Sequence, residues 1–174
     1  GAKRFVVGLG KKVLIADTLS KTTGLIFGIS AEQLSPGTAW LGIICYTIQI
    51  YFDFSGYTDM AIGLGKMFGF GFVENFNYPY MSKSITEFWR RWHITLSGWL
   101  RDYVFLPLSY MLMTEKMRKQ ISAGERRSNY GNYFNLFFVF TLCGLWHGAG
   151  LNFIVWGAFH GMLLVLENMN ASRF

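Results

Sequence analysis

Apolar runs alternate along the chain with short polar and basic segments. Two runs, 33–52 and 128–166, contain no Asp, Glu, Lys or Arg. A membrane helix needs about 20 predominantly apolar residues, so both runs read as membrane-spanning. Residues 39–54 form the clearest single span, and 133–166 are expected to hold two short apolar helices. The break between those two is expected at Gly148-Ala149-Gly150, because closely spaced glycines weaken a helix. Residues 5–29 are apolar but carry Lys11, Lys12, Asp17 and Lys21, which suits either an interfacial helix or a span packed inside a bundle. Residues 30–38, with Pro36 and Gly37, read as a loop, and 73–84, with Asn75, Asn77 and Pro79, as irregular. In 57–72, Ala61, Gly65 and Gly69 recur four apart, a small-residue face that lets membrane helices approach closely. Residues 86–113 are helical in pattern, and 114–132 form a basic loop.

The fold class expected is therefore all-α: a polytopic transmembrane bundle with short, tilted or re-entrant helices, in a single domain covering 1–174. Helices broken at membrane depth are tolerated where protein or a watery cavity adjoins them. Composition agrees, with 52% hydrophobic, 18% aromatic and only 15% charged residues against about 25% charged in soluble domains. The net charge of +6 gathers at Lys3, Arg4, Lys11 and Lys12 and again in 114–132, and basic clusters mark the cytoplasmic side of a membrane protein. The spans argue against nucleic acid as the partner of these clusters. Cys45 and Cys143 both lie in apolar stretches and read as small buried hydrophobes without a disulfide.

Ionisable groups are costly inside a bilayer, so each is a candidate site. At helical spacing Trp89, Trp92, His93, Leu96 and Leu100 share one face, and Glu87, Arg90, Arg91, Ile94 and Arg101 another. Glu87 can pair with Arg90 or Arg91. Two readings stand: an interfacial helix with Trp at headgroup level, or a set of arginines that attracts an anionic donor at a membrane mouth. His147 lies in the charge-free run 128–166, about 21 Å along a helix starting at residue 133. It is expected as a buried neutral imidazole, with Gly148, Ala149 and Gly150 leaving room for a reacting group; an interhelical hydrogen bond is the plainer alternative. Trp146 and Asn152 flank this segment and join it as candidate substrate contacts. His160, beside Gly157 and Gly161, reads as packing. A metal site from His93, His147 and His160 lacks any short ligand spacing. Asp53 and Asp59 suit either a helix cap or pairing with an arginine of the 90–101 group.

Four blocks resemble the membrane-bound O-acyltransferases, most closely the bacterial alginate O-acetyltransferase branch. They are Gly8-Leu9-Gly10-Lys11-Lys12-Val13-Leu14-Ile15-Ala16-Asp17; the stretch Gln49-Ile50-Tyr51-Phe52-Asp53-Phe54-Ser55-Gly56-Tyr57-Thr58-Asp59 and on to Gly65; Phe88-Trp89-Arg90-Arg91-Trp92-His93-Ile94-Thr95-Leu96-Ser97; and Leu145-Trp146-His147-Gly148-Ala149. The resemblance covers nearly the whole chain and implies a longer protein of which this is the middle. It implies that His147 is catalytic and His93 its partner along a tunnel through the membrane, with acyl groups entering from the cytoplasm and leaving on a hydroxyl of an extracytoplasmic polysaccharide. The expected location is the bacterial cytoplasmic membrane, multi-pass. No bound cofactor or metal is expected; the donor is acetyl-CoA or an acylated carrier, and extracytoplasmic acetyltransferase proteins are the expected partners. Transfer of D-alanine to teichoic acid and a non-catalytic membrane subunit are the alternatives.

Overall fold

The computed structural model describes residues 1–113 and 130–171. Most of the expected basic loop, 114–132, lies outside them. The described residues are helical with no strand, and the chain divides into two compact units, Gly1–Phe76 and Asn77–Phe174.

In the first unit, α1 (Ala2–Gly10), a π-helical turn (Lys11–Ala16) and α2 (Asp17–Phe27) run on as one helix. They pack against α3 (Pro36–Met67), which starts where Ser35 accepts from the Thr38 N–H and Pro36 occupies the first turn. The expected separate helices 39–54 and 57–72 are thus one. Asp53, Gly56 and Asp59 do not interrupt it, because each is packed or paired against the N-terminal helix. A Cβ on Gly8 would fall 2.6 Å from the Gly56 carbonyl oxygen, and one on Gly56 2.8 Å from that of Gly8. These two glycines, with Gly63 against the Phe5 backbone, are the close-approach face. The expected face fails: Ala61 is exposed, and Gly69 lies beyond the helix at φ +85°.

Ion pairs link the same two helices. Arg4 binds Asp59 (2.7 Å) and Glu74, Lys11 binds Asp59 (2.6 Å), and Lys12 bridges Asp53 and Asp17. Three of the four N-terminal basic residues are therefore neutralised within the fold, which removes most of the charge asymmetry read from 1–12. Neither Asp53 nor Asp59 caps a helix, and their partners come from the N-terminal helix rather than from the 90–101 arginines.

In the second unit a 3₁₀ turn (Pro79–Met81) leads to α4 (Ile85–Arg91), α5 (Ile94–Leu100), a second π-helical turn (Arg101–Phe105) and α6 (Leu106–Met111). The single helix expected over 86–113 is therefore broken. His93 adopts a left-handed conformation (φ 47°, ψ 53°) between α4 and α5, so the residues before and after it do not share the two faces read from spacing. α7 (Tyr130–His147) and α8 (Leu151–Ala171) form a hairpin, broken at Gly148-Ala149-Gly150 as expected. Its crossing is built on Gly144 and Gly157: a Cβ on Gly144 would lie 3.0 Å from the Gly157 Cα, and one on Gly157 2.9 Å from the Gly144 Cα. Asn135, fully buried, donates to the Phe105 carbonyl (2.7 Å) and the Ser109 hydroxyl (2.6 Å), tying α7 to the second π-helical turn and α6.

Many large apolar side chains face outward, and several polar ones face inward. Ser55, Thr23, Asn75 and Asn135 are buried, whereas Leu14, Trp40, Ile44, Phe70 and Val155 are exposed. Such a surface suits lipid or further helices as its solvent. Among the described residues one helix, across Leu151–Asn170, is long and apolar enough by itself to cross a membrane. α3 and α7 are diluted by Gln49, Asp53 and Asp59 and by Asn132, Asn135 and His147 respectively.

Candidate functional site

The second unit brings the three histidines into one aromatic ladder, in which imidazole and indole rings alternate. His93 lies against Trp146 (ring centroids 6.5 Å apart), Trp146 against His147 (4.9 Å), His147 against Trp156 (5.1 Å) and Trp156 against His160 (4.9 Å). Trp89 closes the far end, 5.2 Å from His160 and 5.9 Å from Trp156. Most of these contacts are edge-to-face, the favoured geometry for rings with a negative face and a positive rim.

Local structure explains the convergence. His147 ends α7, and the Gly144–Gly157 crossing sets the hairpin register so that Trp156 of α8 meets it. Trp156 and His160 are four residues apart and so occupy one side of α8. α4 reaches the same side through Trp89, and Glu167 of α8 holds its start, accepting from the Thr86 N–H (2.8 Å) and hydroxyl (3.0 Å). Ser84 caps α4 by accepting from the Glu87 N–H. His93 follows directly on α4, so whatever fixes α4 fixes His93.

The candidate residues separate by their surroundings. His147 is exposed, which corrects the expectation of a buried imidazole: the glycine-flanked break leaves its outer side uncovered by this chain. Trp146 is 63% exposed, and Asn152 and Arg90 are exposed. Arg91 is held by Glu87 (2.7 Å) and donates to the Asn77 carbonyl (3.1 Å); with Asn77 N–H donating back to the Arg91 carbonyl (3.0 Å), it pins the preceding loop onto α4. Arg101 pairs with its neighbour Asp102 (2.8 Å) at the surface, and Asp53 and Asp59 belong to the ion pairs of the first unit. His160, read as packing, is a rung of the ladder, and its Nδ1 is buried without a hydrogen-bond partner, as is Trp89 Nε1. Trp156 and Glu167 were missed. The spacing of Trp156 to His160 on an apolar helix, and a lone acid within that helix, were the available signals.

Among the described residues no three His, Cys, Asp or Glu side chains gather as a metal-binding group, and Cys45 and Cys143 are free and buried. The ladder offers instead two kinds of group: imidazoles able to accept and return a proton, and broad aromatic faces packed against them.

Comparison with known proteins gives the same direction. The chain is 53% identical over 167 residues to "Probable alginate O-acetylase AlgI" of Pseudomonas aeruginosa, covering 96% of this chain and 29% of that protein. It is 44% identical over 160 residues to the "Peptidoglycan O-acetyltransferase" of Helicobacter pylori, covering 92% and 28%, and 40% identical over 123 residues to the "Teichoic acid D-alanyltransferase" of Bacillus subtilis, covering 71% and 29%. The chain thus spans under a third of the length of these relatives. The profile of the MBOAT, membrane-bound O-acyltransferase family, matches residues 3–174, and the chain belongs to that family.

Proposed function

We propose that this chain is the catalytic core of a multi-pass O-acetyltransferase of the bacterial cytoplasmic membrane. It moves an acetyl group from a cytoplasmic thioester, acetyl-CoA or an acylated carrier, to a hydroxyl of an extracytoplasmic polysaccharide. The observation that carries the reading is the ring ladder that places His93 and His147 on either side of Trp146. Identity to the alginate and peptidoglycan O-acetyltransferases supports acetyl as the group and an envelope polysaccharide as the acceptor. Extracytoplasmic acetyltransferase proteins are the partners, and the basic loop 114–132 faces the cytoplasm.

In this mechanism His147 is the general base. Its neutral imidazole takes the acceptor hydroxyl proton as the oxygen attacks the thioester carbon. The C–O bond forms, the C–S bond breaks, and the imidazolium returns the proton to the departing thiolate. An imidazole can both take and return a proton near neutral pH, which suits both halves of that exchange. His93, across Trp146, serves the donor side. Arg90, exposed at the end of α4, meets the anionic part of the donor, whereas Arg91 is committed to Glu87 and Asn77 and acts on the shape of the segment. Trp146 separates the two histidines, and Asn152, just past the break, faces the acceptor. No cofactor or metal enters the scheme.

The test is His147→Ala in the complete enzyme, with membrane protein matched and acyl esters on the envelope polymer quantified by mass spectrometry. The expected outcome is a fall of about 10²–10⁴-fold in acetyl transfer. Near wild-type acetylation overturns the base assignment. Recovery of D-alanyl rather than acetyl esters from the unmodified enzyme overturns the acetyl reading in favour of the teichoic acid branch.

A further inference from the structure

Among the described residues no hydrogen bond fixes the imidazole of His147, so its orientation is set by the rings around it. Its own neighbour Trp146 is 63% exposed and belongs to the same helix end. Trp156 is different. It comes from the opposite helix, meets His147 nearly perpendicular (5.1 Å, 83°), and is braced behind by His160 (4.9 Å) and Trp89 (5.9 Å). Trp89 is itself packed on Phe140 of α7 (5.1 Å). The residue after Trp156 is Gly157, where an added Cβ would fall 2.9 Å from the Cα of Gly144, three residues before His147, so the two helices are closely apposed beside the His147–Trp156 contact. Trp156 is thus backed by His160 of its own helix and by Trp89 of α4, and it meets His147 of α7.

We propose that Trp156 is a positioning residue for His147, braced by His160 and Trp89, and that it sets the angle at which the imidazole meets the acceptor hydroxyl. This rests on the reading of His147 as general base. Neither Trp156 nor His160 takes or gives a proton in it. A wall of packed rings does for this imidazole what a hydrogen-bonded carboxylate does elsewhere: it limits the ring to one orientation. An edge-to-face aromatic contact is directional. An aliphatic side chain in its place packs without that directional contact.

The experiment compares Trp156→Phe and Trp156→Leu in the complete enzyme in membrane vesicles. Labelled acetyl-CoA is the donor, and alkali-labile acetyl on the endogenous polymer is counted per amount of membrane-inserted protein. Trp156→Leu is expected to lower kcat by about 10- to 100-fold with the donor KM unchanged, a misplacement effect, and Trp156→Phe to restore most of it. Equal kcat in wild type and Trp156→Leu, or equal losses in Leu and Phe variants, overturns the proposal. If the Leu variant does not accumulate, His160→Leu takes its place: it leaves Trp156 present but unbraced, and an unchanged kcat there overturns the proposal. His147→Ala run in parallel separates the two ideas. Activity in that variant removes the general-base reading, whereas its loss together with an unaffected Trp156→Leu removes the positioning role alone.

Discussion

The two units tie their helices together by different means. In the first, ionisable side chains meet one another across helices: Arg4 and Lys11 on Asp59, Lys12 on Asp53. In the second, helices meet through rings and bare backbone, with histidines set against tryptophans and Gly144 against Gly157. Charges that satisfy each other are poor reagents, because each is already engaged by its partner. An imidazole against an indole rim is held without a charged partner. Both units carry costly polar groups in an apolar chain; in the first they pair with one another, and in the second Asn135 and Glu167 hold helices together while the histidines lie against tryptophans.

That contrast breaks or sharpens under substitution. The largest effect is expected at the hairpin crossing. Gly157→Val puts a side chain into backbone that has nowhere to go, and it should destabilise the fold by about 3 kcal/mol; thermal unfolding of the detergent-solubilised protein measures it. A smaller loss is expected from Asp59→Asn, which leaves Arg4 and Lys11 without their shared carboxylate. With Asp59 only partly buried, about 2 kcal/mol is expected, seen as less folded protein at an unchanged kcat per folded molecule. A drop in kcat would dissolve the distinction between the units. The smallest is Glu74→Gln, below about 1 kcal/mol, because the carboxylate is mostly exposed. The hydrogen bond from Arg4 holds the Glu74 carboxyl below its ordinary range. Its contribution is therefore present above the unfolded value of about 4.5 and is lost as pH falls through the lower folded value. Acid titration of unfolding should show a slightly weaker pH dependence in the Gln variant.

Much of this was legible in the sequence because it depends on local chemistry. The glycines at 148 and 150 mark the hairpin break, and the histidines stand out because an apolar run makes them costly. Other features depend on residues distant along the chain. Nothing near Asp53 or Asp59 reveals that α3 passes through them unbroken, since their partners lie more than 40 positions earlier, in 4–12. The break at His93 has no glycine or proline to announce it. The cap at Ser84 marks where α4 starts but not where it ends. The small-residue face was legible as a type of contact but not in its position, because Gly65 and Gly69 serve a bend while Gly8 and Gly56 serve the crossing.

The left-handed backbone at His93 carries a consequence of its own. A side chain with a Cβ pays about 1–2 kcal/mol to sit there, and glycine pays nothing. The backbone alone would favour glycine at that point. The imidazole's presence marks a trade between durability and reactivity, and an effort to toughen this protein by relaxing its backbone would reach His93 first and weaken the donor side of the proposed reaction in doing so.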